Sequence, residues 1–316
     1  MTTVPRQILV GVDVSSDSEL VAANLSPATA TAVDRAIWLA GQTGAALHFV
    51  NVLNIPTVAT EDILEESAEA VLTRDSTIVL ETLVDRAKSK GIAATFAVRN
   101  GRIVEELVRE VLRRQPDLLV IGSHPQGLAE RFLFGSKATK VLRKCPCPVW
   151  VTKSGELPET PLVMAAEDLS EGGVESIPTA VMAAQWLAGR LLVVHAVNFP
   201  LDRRLYRTGV TDEELQVYRE KVRHDAQQQL QERLWATDHR TIPGGVKVEV
   251  LPGPRGRDRA GAEDNDPHLL VMGTIGRGGL SGLLLGNTVE ELLPRIRCSL
   301  LAIKPEGFVC PVKLPD

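Results

Sequence analysis

Short runs of consecutive apolar residues alternate along this chain with longer stretches in which apolar positions recur every three or four residues. In the first half the short runs are "QILVGVDV" (7–14), "ALHFVNVL" (46–53), "IAATFAV" (92–98) and "LLVIG" (118–122), ending in "CPVWVT" (147–152). Between them the spacing predicts helices over 28–41, with Gly44 beyond the end, over 61–90, closing at Gly91, and over 103–114, ending before Pro116. A glycine just past a helix end supplies the left-handed cap that other residues resist. Unbroken apolar strands of four to six residues joined by helices predict a parallel sheet buried on both faces. Right-handed crossovers make it doubly wound, and such sheets take ligands beyond the carboxyl ends of their strands.

The same pattern occurs twice. "DLLVIGSHPQGL" (117–128) corresponds to "HLLVMGTIGRGGL" (268–280), and "CPVWVTK" (147–153) to "CSLLAIK" (298–304), both offset by 151 residues. "ILVGVDVSS" (8–16) aligns with "LVMAAEDLS" (162–170), and "ALHFVNVLNIP" (46–56) with "LLVVHAVNFP" (191–200). Repeats at this scale mean duplicated domains. We place them at 1–155 and 156–316, joined through the polar, Pro/Gly-bearing "KSGELPETP" (153–161). The stretch 200–235 predicts a further helix with a capping box from Thr211 to Glu214, lying over the sheet or across to the other domain.

Charge and composition narrow the function classes. A net charge of −5 over 316 residues, with no like-charge block, argues against nucleic acid as a partner. No apolar run approaches the ~20 residues that span a bilayer, and the first residues pass straight into a strand, so no membrane partner and a cytoplasmic location are expected. Cys145, Cys147, Cys298 and Cys310 lack zinc-ligand spacing and read as thiols in a reducing compartment, with no metal site.

The chemistry concentrates in "VMGTIGRGGLSGLLLGNTVEELL". Gly273, Gly276 and Gly286 follow a strand and precede a helix whose apolar face is Val289, Leu292, Leu293 and Ile296. Asn287 is placed as N-cap with Glu290 three residues on, and in the first half Ser136 is placed as N-cap before Ala138, Val141, Leu142 and Cys145. Open backbone N–H groups at a helix N-terminus favour an anion, and a phosphate fits. A Walker loop needs a Lys-Ser/Thr that is missing here, and "GRGGLS" does not join a strand directly to a helix.

The spacing G-x2-G-x9-G-[ST] before a last helix and a "CPV"-like final strand resembles the universal stress protein family. The tandem arrangement, "LRKCPCPVW" and "RCSLLAIKP" are similar to its E-type bacterial members. The resemblance implies two adenine-nucleotide-α-hydrolase-like domains, each a five-stranded parallel sheet flanked by helices, arranged as a pseudo-dimer through their final strands. It also implies ATP or AMP binding in some members. Carried over residue by residue, the acid after the first strand is Asp13 and, less closely, Glu167. The small residue lining the adenine pocket is Val52 or Ala196. The phosphate positions are Gly122, Gly135 and Ser136 in the first half, with Pro125 replacing the middle glycine, and Gly273, Gly276, Gly286, Asn287 and Thr288 in the second. A proline has no N–H and a fixed φ, so the first loop cannot approach a phosphate as the family's does.

Two functions follow. One is a stress-response regulator that binds adenine nucleotide, chiefly in the second domain, with no catalytic residues and at most slow incidental ATP hydrolysis. His124, His48 and His195 read as packing or hydrogen-bonded histidines rather than bases. The other is a degenerate scaffold acting through protein partners or a small, partly apolar ligand, suggested by Pro125, Asn287 and the apolar "LSGLLLG" (280–286). Association of the pseudo-dimer into a further homodimer is left open.

Overall fold

The structure, a computed structural model, describes residues 4–14, 25–55, 63–123, 134–169, 176–197, 199, 210–252, 266–274, 293 and 296–315. The expectations resting on His124, Pro125, Gly276, Gly286, Asn287, Thr288, the loop 280–286 and most of the last helix lie outside these residues.

In the first half, strands β1 (Gln7–Gly11), β2 (Ala46–Leu53), β3 (Ala94–Asn100), β4 (Leu118–Gly122) and β5 (Val149–Thr152) alternate with helices. These are α1 (Pro27–Thr43), α2 (Ile63–Lys88), α3 (Ile103–Arg114) and α4 (Ser136–Lys144). The second half repeats the strands as β6 (Leu162–Ala166), β7 (Arg190–Val197), β8 (Val246–Pro252), β9 (Leu269–Gly273) and β10 (Ser299–Ile303). Its described helices are α5 (Ser176–Trp186) and α6 (Asp212–Trp235).

All ten strands form one sheet in the order β3-β2-β1-β4-β5-β10-β9-β6-β7-β8. Each half is a parallel five-stranded sheet, as the buried apolar runs require. The halves join where β5 and β10 pair antiparallel, Trp150 opposite Leu301 and Val151 opposite Leu300. Trp150 and Leu301 are themselves equivalent under the repeat, so the pseudo-two-fold axis passes through this pair. The seam removes the inner edge of each sheet, leaving β3 and β8 as the edges among the described residues.

Two apolar layers cover the sheet. On one face α1, α2, α5 and α6 pack over Ile8, Val10, Phe49, Val163, Ala165 and Val193. On the other, α3 and α4 pack over Leu9, Leu119, Ile121 and Val151, and the layer continues through Met164 and Leu270 to the final segment at Cys310 and Val312.

Local chemistry sets the helix ends. Ser26 accepts the Thr29 N–H at 3.2 Å, Pro27 opens α1, and Gly44 closes it in the left-handed conformation with φ 73°. Gly91 does the same beyond α2 at φ 75°. In α6, Thr211 and Glu214 form the expected reciprocal capping box. The helix lies over β7 and β8 of its own half. Among the described residues no helix is long and apolar enough to cross a membrane.

Candidate functional site

The carboxyl ends of β1, β2 and β4 gather the first set of predicted residues. Val10 pairs with Val120 and Gly11 with Val50, so Gly122 stands level with Val12, and Val52 level with Asp13. Asp13 is exposed and Val52 half-buried. A methyl group at Gly122 would stand 2.4 Å from the Ala28 carbonyl oxygen, so this glycine lets α1 start directly against the strand. That packing need explains it without any ligand. Ser123 donates from both its N–H and its hydroxyl to the Thr152 carbonyl, each at 3.0 Å, which holds the chain as it leaves the strand.

At α4 the cap differs from expectation. Gly135, at φ −58° and ψ 157°, is the N-cap, and Ser136 is the first helical residue. The Gly135 carbonyl accepts the Thr139 N–H at 3.1 Å, which starts the helical ladder one residue earlier than the sequence suggests. The Ser136 hydroxyl therefore makes no capping bond, and Ser136 and Lys137 are both exposed at the helix start.

The second half reproduces this geometry with one change of register. Val163 pairs with Leu269 as Ile8 pairs with Leu118, and Ala166 pairs with Val194 as Gly11 pairs with Val50. The Glu167 N–H donates to the Val194 carbonyl at 2.9 Å, as the Val12 N–H donates to the Val50 carbonyl at 2.8 Å. Glu167 is thus the counterpart of buried Val12, and Asp168, not Glu167, is the counterpart of Asp13. The alignment of the two apolar runs slipped by one position because the repeat's spacing between the first and fourth strands differs between halves. Two adjacent acids, Glu167 and Asp168, were the signal that could have shown it.

Glu167 is committed elsewhere. Its carboxylate lies 2.8 Å from the Arg233 guanidinium of α6 and accepts the Ser176 hydroxyl at the start of α5. It also accepts the Leu169 N–H at 3.3 Å, and it is buried. A carboxylate held by an arginine, a hydroxyl and its own backbone ties β6, α5 and α6 together. Its carboxylate oxygens are thus engaged within the protein. Ala196 falls level with Asp168, and Gly273 level with Glu167, as their counterparts do in the first half. Thr274 repeats the Ser123 bonds, donating from its N–H at 2.9 Å and its hydroxyl at 3.2 Å to the Ile303 carbonyl.

Beside the acid, the next strand carries a polar side chain: Asn51 in the first half, which no sequence motif marks, and His195 in the second, buried and hydrogen-bonded as expected. Asn51 Nδ2 donates to the Val12 carbonyl at 2.8 Å, and His195 Nδ1 pairs with the Glu167 carbonyl at 2.7 Å. Each fastens the turn after the first strand of its half. His48 is likewise a buried partner, 2.8 Å from the Thr95 hydroxyl and 3.1 Å from Glu110.

Residues 5–153 and 163–304 each match the Universal stress protein family. The chain belongs to the universal stress protein family. It is 30% identical to Universal stress protein E of Photorhabdus laumondii over 227 residues, covering 68% of this chain and 70% of that one. It is 28% identical over 229 residues to Universal stress protein E of Escherichia coli K12, covering 69% and 70%. The tandem fold also matches a putative universal stress protein from Pseudomonas aeruginosa, with TM-score 0.63 and 22% identity over 96% of this chain and 94% of that one. A universal stress protein from Archaeoglobus fulgidus superposes with TM-score 0.64 and 17% identity over 95% and 98%. Each half of the ten-stranded sheet is therefore one universal stress protein domain.

Proposed function

We propose that this stress-response protein is a non-enzymatic regulator that binds an adenine nucleotide, ATP or AMP, in its second domain. The observation that carries the reading is the strand register that makes Asp168 the partner of Asp13. With Asp168 in place of Glu167, the second domain holds the acid, the small residue Ala196 level with it, and the glycine set Gly273, Gly276 and Gly286. The first domain keeps Asp13, Val52, Gly122, Gly135 and Ser136, but Pro125 stands where the turn requires a glycine. The acid would accept from the base, and the backbone N–H groups at the loop and helix start would hold the phosphates.

Calorimetric titration of the full chain with ATP, ADP and AMP tests this. Binding is expected to weaken about tenfold or more in Asp168→Asn, the worth of a hydrogen bond to a charged group, and to vanish in Gly276→Val. Asp13→Asn is expected to leave it unchanged. No binding to the nucleotide-free wild-type chain, or loss in Asp13→Asn alone, overturns the assignment.

One observation favours the scaffold reading with an apolar ligand. On the α1/α5 face of the seam, Trp38, Trp150, Trp186 and Leu187 line a small apolar crevice with Leu118 and Leu301. The Trp150 indole N–H has no hydrogen-bond partner there among the described residues. Under that reading a small aromatic ligand quenches tryptophan fluorescence while nucleotide does not bind.

A further inference from the structure

On the opposite face of the seam, the final segment of the second domain crosses onto the first. Lys304 Nζ donates to the Leu142 carbonyl at 2.6 Å and the Arg143 carbonyl at 3.3 Å, both in the last turn of α4. Its ammonium also lies 4.2 Å from the centre of the Phe308 ring. Cys310 Sγ donates to the Lys144 carbonyl at 3.3 Å, and Arg109 Nε donates to the Lys313 carbonyl at 3.2 Å.

This clasp encloses a group of thiols. Cys145, the residue that caps α4, has its Sγ 3.5 Å from that of Cys147. Cys145 is buried and Cys147 partly exposed. Lys304 lies within electrostatic range of both, and of Cys310. The repeat supplies a built-in comparison. Cys298 is the counterpart of Cys147, faces Lys153 in the same way, and has Ile296 where the first domain has Cys145. The same position thus carries a dithiol in one domain and a single buried thiol in the other.

We propose that Cys145 and Cys147 form an oxidant-responsive dithiol, closed to a disulfide by hydrogen peroxide and reopened by a small thiol. The two sulfurs already lie 3.5 Å apart across Pro146. Cys147, the partly exposed residue of the pair, is the one that meets the oxidant. As thiolate it attacks one peroxide oxygen, the O–O bond breaks, and the departing hydroxide takes up a proton, leaving a sulfenic acid and one water. Cys145 sulfur then attacks Cys147 sulfur, the S–S bond forms, the S–O bond breaks, and hydroxide leaves as a second water with the Cys145 proton. The two sulfurs supply the two electrons that reduce the peroxide. The hydrogen bond with Cys145, together with burial, pushes the Cys147 thiol up, so the step is slow at neutral pH. The Lys304 ammonium favours the thiolate once it forms.

The test exposes the folded, reduced full chain to hydrogen peroxide for hours, blocks remaining thiols with N-ethylmaleimide, and maps tryptic peptides by mass. The peptide Cys145–Lys153 is expected to appear unalkylated and two hydrogens lighter, and to regain two alkylatable thiols after dithiothreitol. The peptide bearing Cys298 is expected to remain a thiol. Cys310→Ser leaves the bridge intact, and Cys147→Ser removes it while Cys145 stays a thiol. The proposal is overturned if both thiols of the peptide stay alkylatable, if either is found bridged to Cys310, if Cys147 passes to sulfinic acid with Cys145 unchanged, or if Cys298 oxidises equally fast.

Discussion

Asp168 and Glu167 show how a single position changes the reading of a site. Side by side in the sequence, both are acids after an apolar run. The hydrogen bond from the Glu167 N–H to the Val194 carbonyl gives Glu167 the inward-facing place of Val12, and there its charge requires Arg233 and Ser176. Glu110 obeys the same rule in the first domain. Fully buried on the inner side of α3, it lies 2.8 Å from Arg99, 3.1 Å from Arg113 and Arg114, and 3.1 Å from His48. Burial alone would raise its carboxyl, but the hydrogen bonds from His48, Arg99 and Arg114 outweigh it and hold the group far below the usual carboxylate range. A carboxyl depressed in the folded state contributes stability that is fully present above its unfolded value, near 4.5, and is lost as pH falls toward the folded value. Glu110→Gln is therefore expected to lower unfolding free energy by about 3 kcal/mol in urea at neutral pH, because it leaves arginines without their counter-charge. The gap to wild type narrows only below about pH 4, so an equal gap at pH 3 and pH 7 would contradict this account.

The elements themselves were largely legible. The caps of α1 and the capping box of α6 follow from residues that interact within one turn, and such local chemistry survives without tertiary context. The start of α4 did not follow. Ser136 is a better N-cap than Gly135 by residue type, yet the chain enters the helix one residue early, and the Gly135 carbonyl closes the first turn. Gly122 is legible in the sequence as a needed glycine, but its close packing against the Ala28 carbonyl, a demand of the α1–β4 contact, is not. Gly122→Ala is expected to cost about 1–3 kcal/mol, the range for overpacking, because the added methyl meets backbone that a rotamer change cannot move. Thermal unfolding reads this directly, and an unchanged Tm would mean that α1 shifts freely.

At the scale of the molecule, the seam decides the architecture. β5 presents Val149, Trp150 and Val151, all buried, and its outer edge is covered by β10. Residues 1–155 expressed alone would expose that edge. They are expected to associate as a dimer through β5, replacing the internal pairing with an intermolecular one, as a bare apolar edge strand does. Light scattering after size exclusion measures this, and Val151→Lys, which places a charge in the new interface, is expected to return the fragment to a monomer. A fragment monomeric without that substitution would show that the edge is protected by other means.

The duplication, the alternation of strand and helix, the parallel sheet buried on both faces and the caps of α1 and α6 were determined by the sequence by itself. They rest on periodicity and on contacts between near neighbours, which are written along the chain. Only the tertiary structure decided which of two adjacent acids follows β6 in the place of Asp13, which residue caps α4, and which thiols lie together under the clasp. Those depend on register between strands far apart in sequence. In a sheet, a shift of one residue turns every side chain to the opposite face.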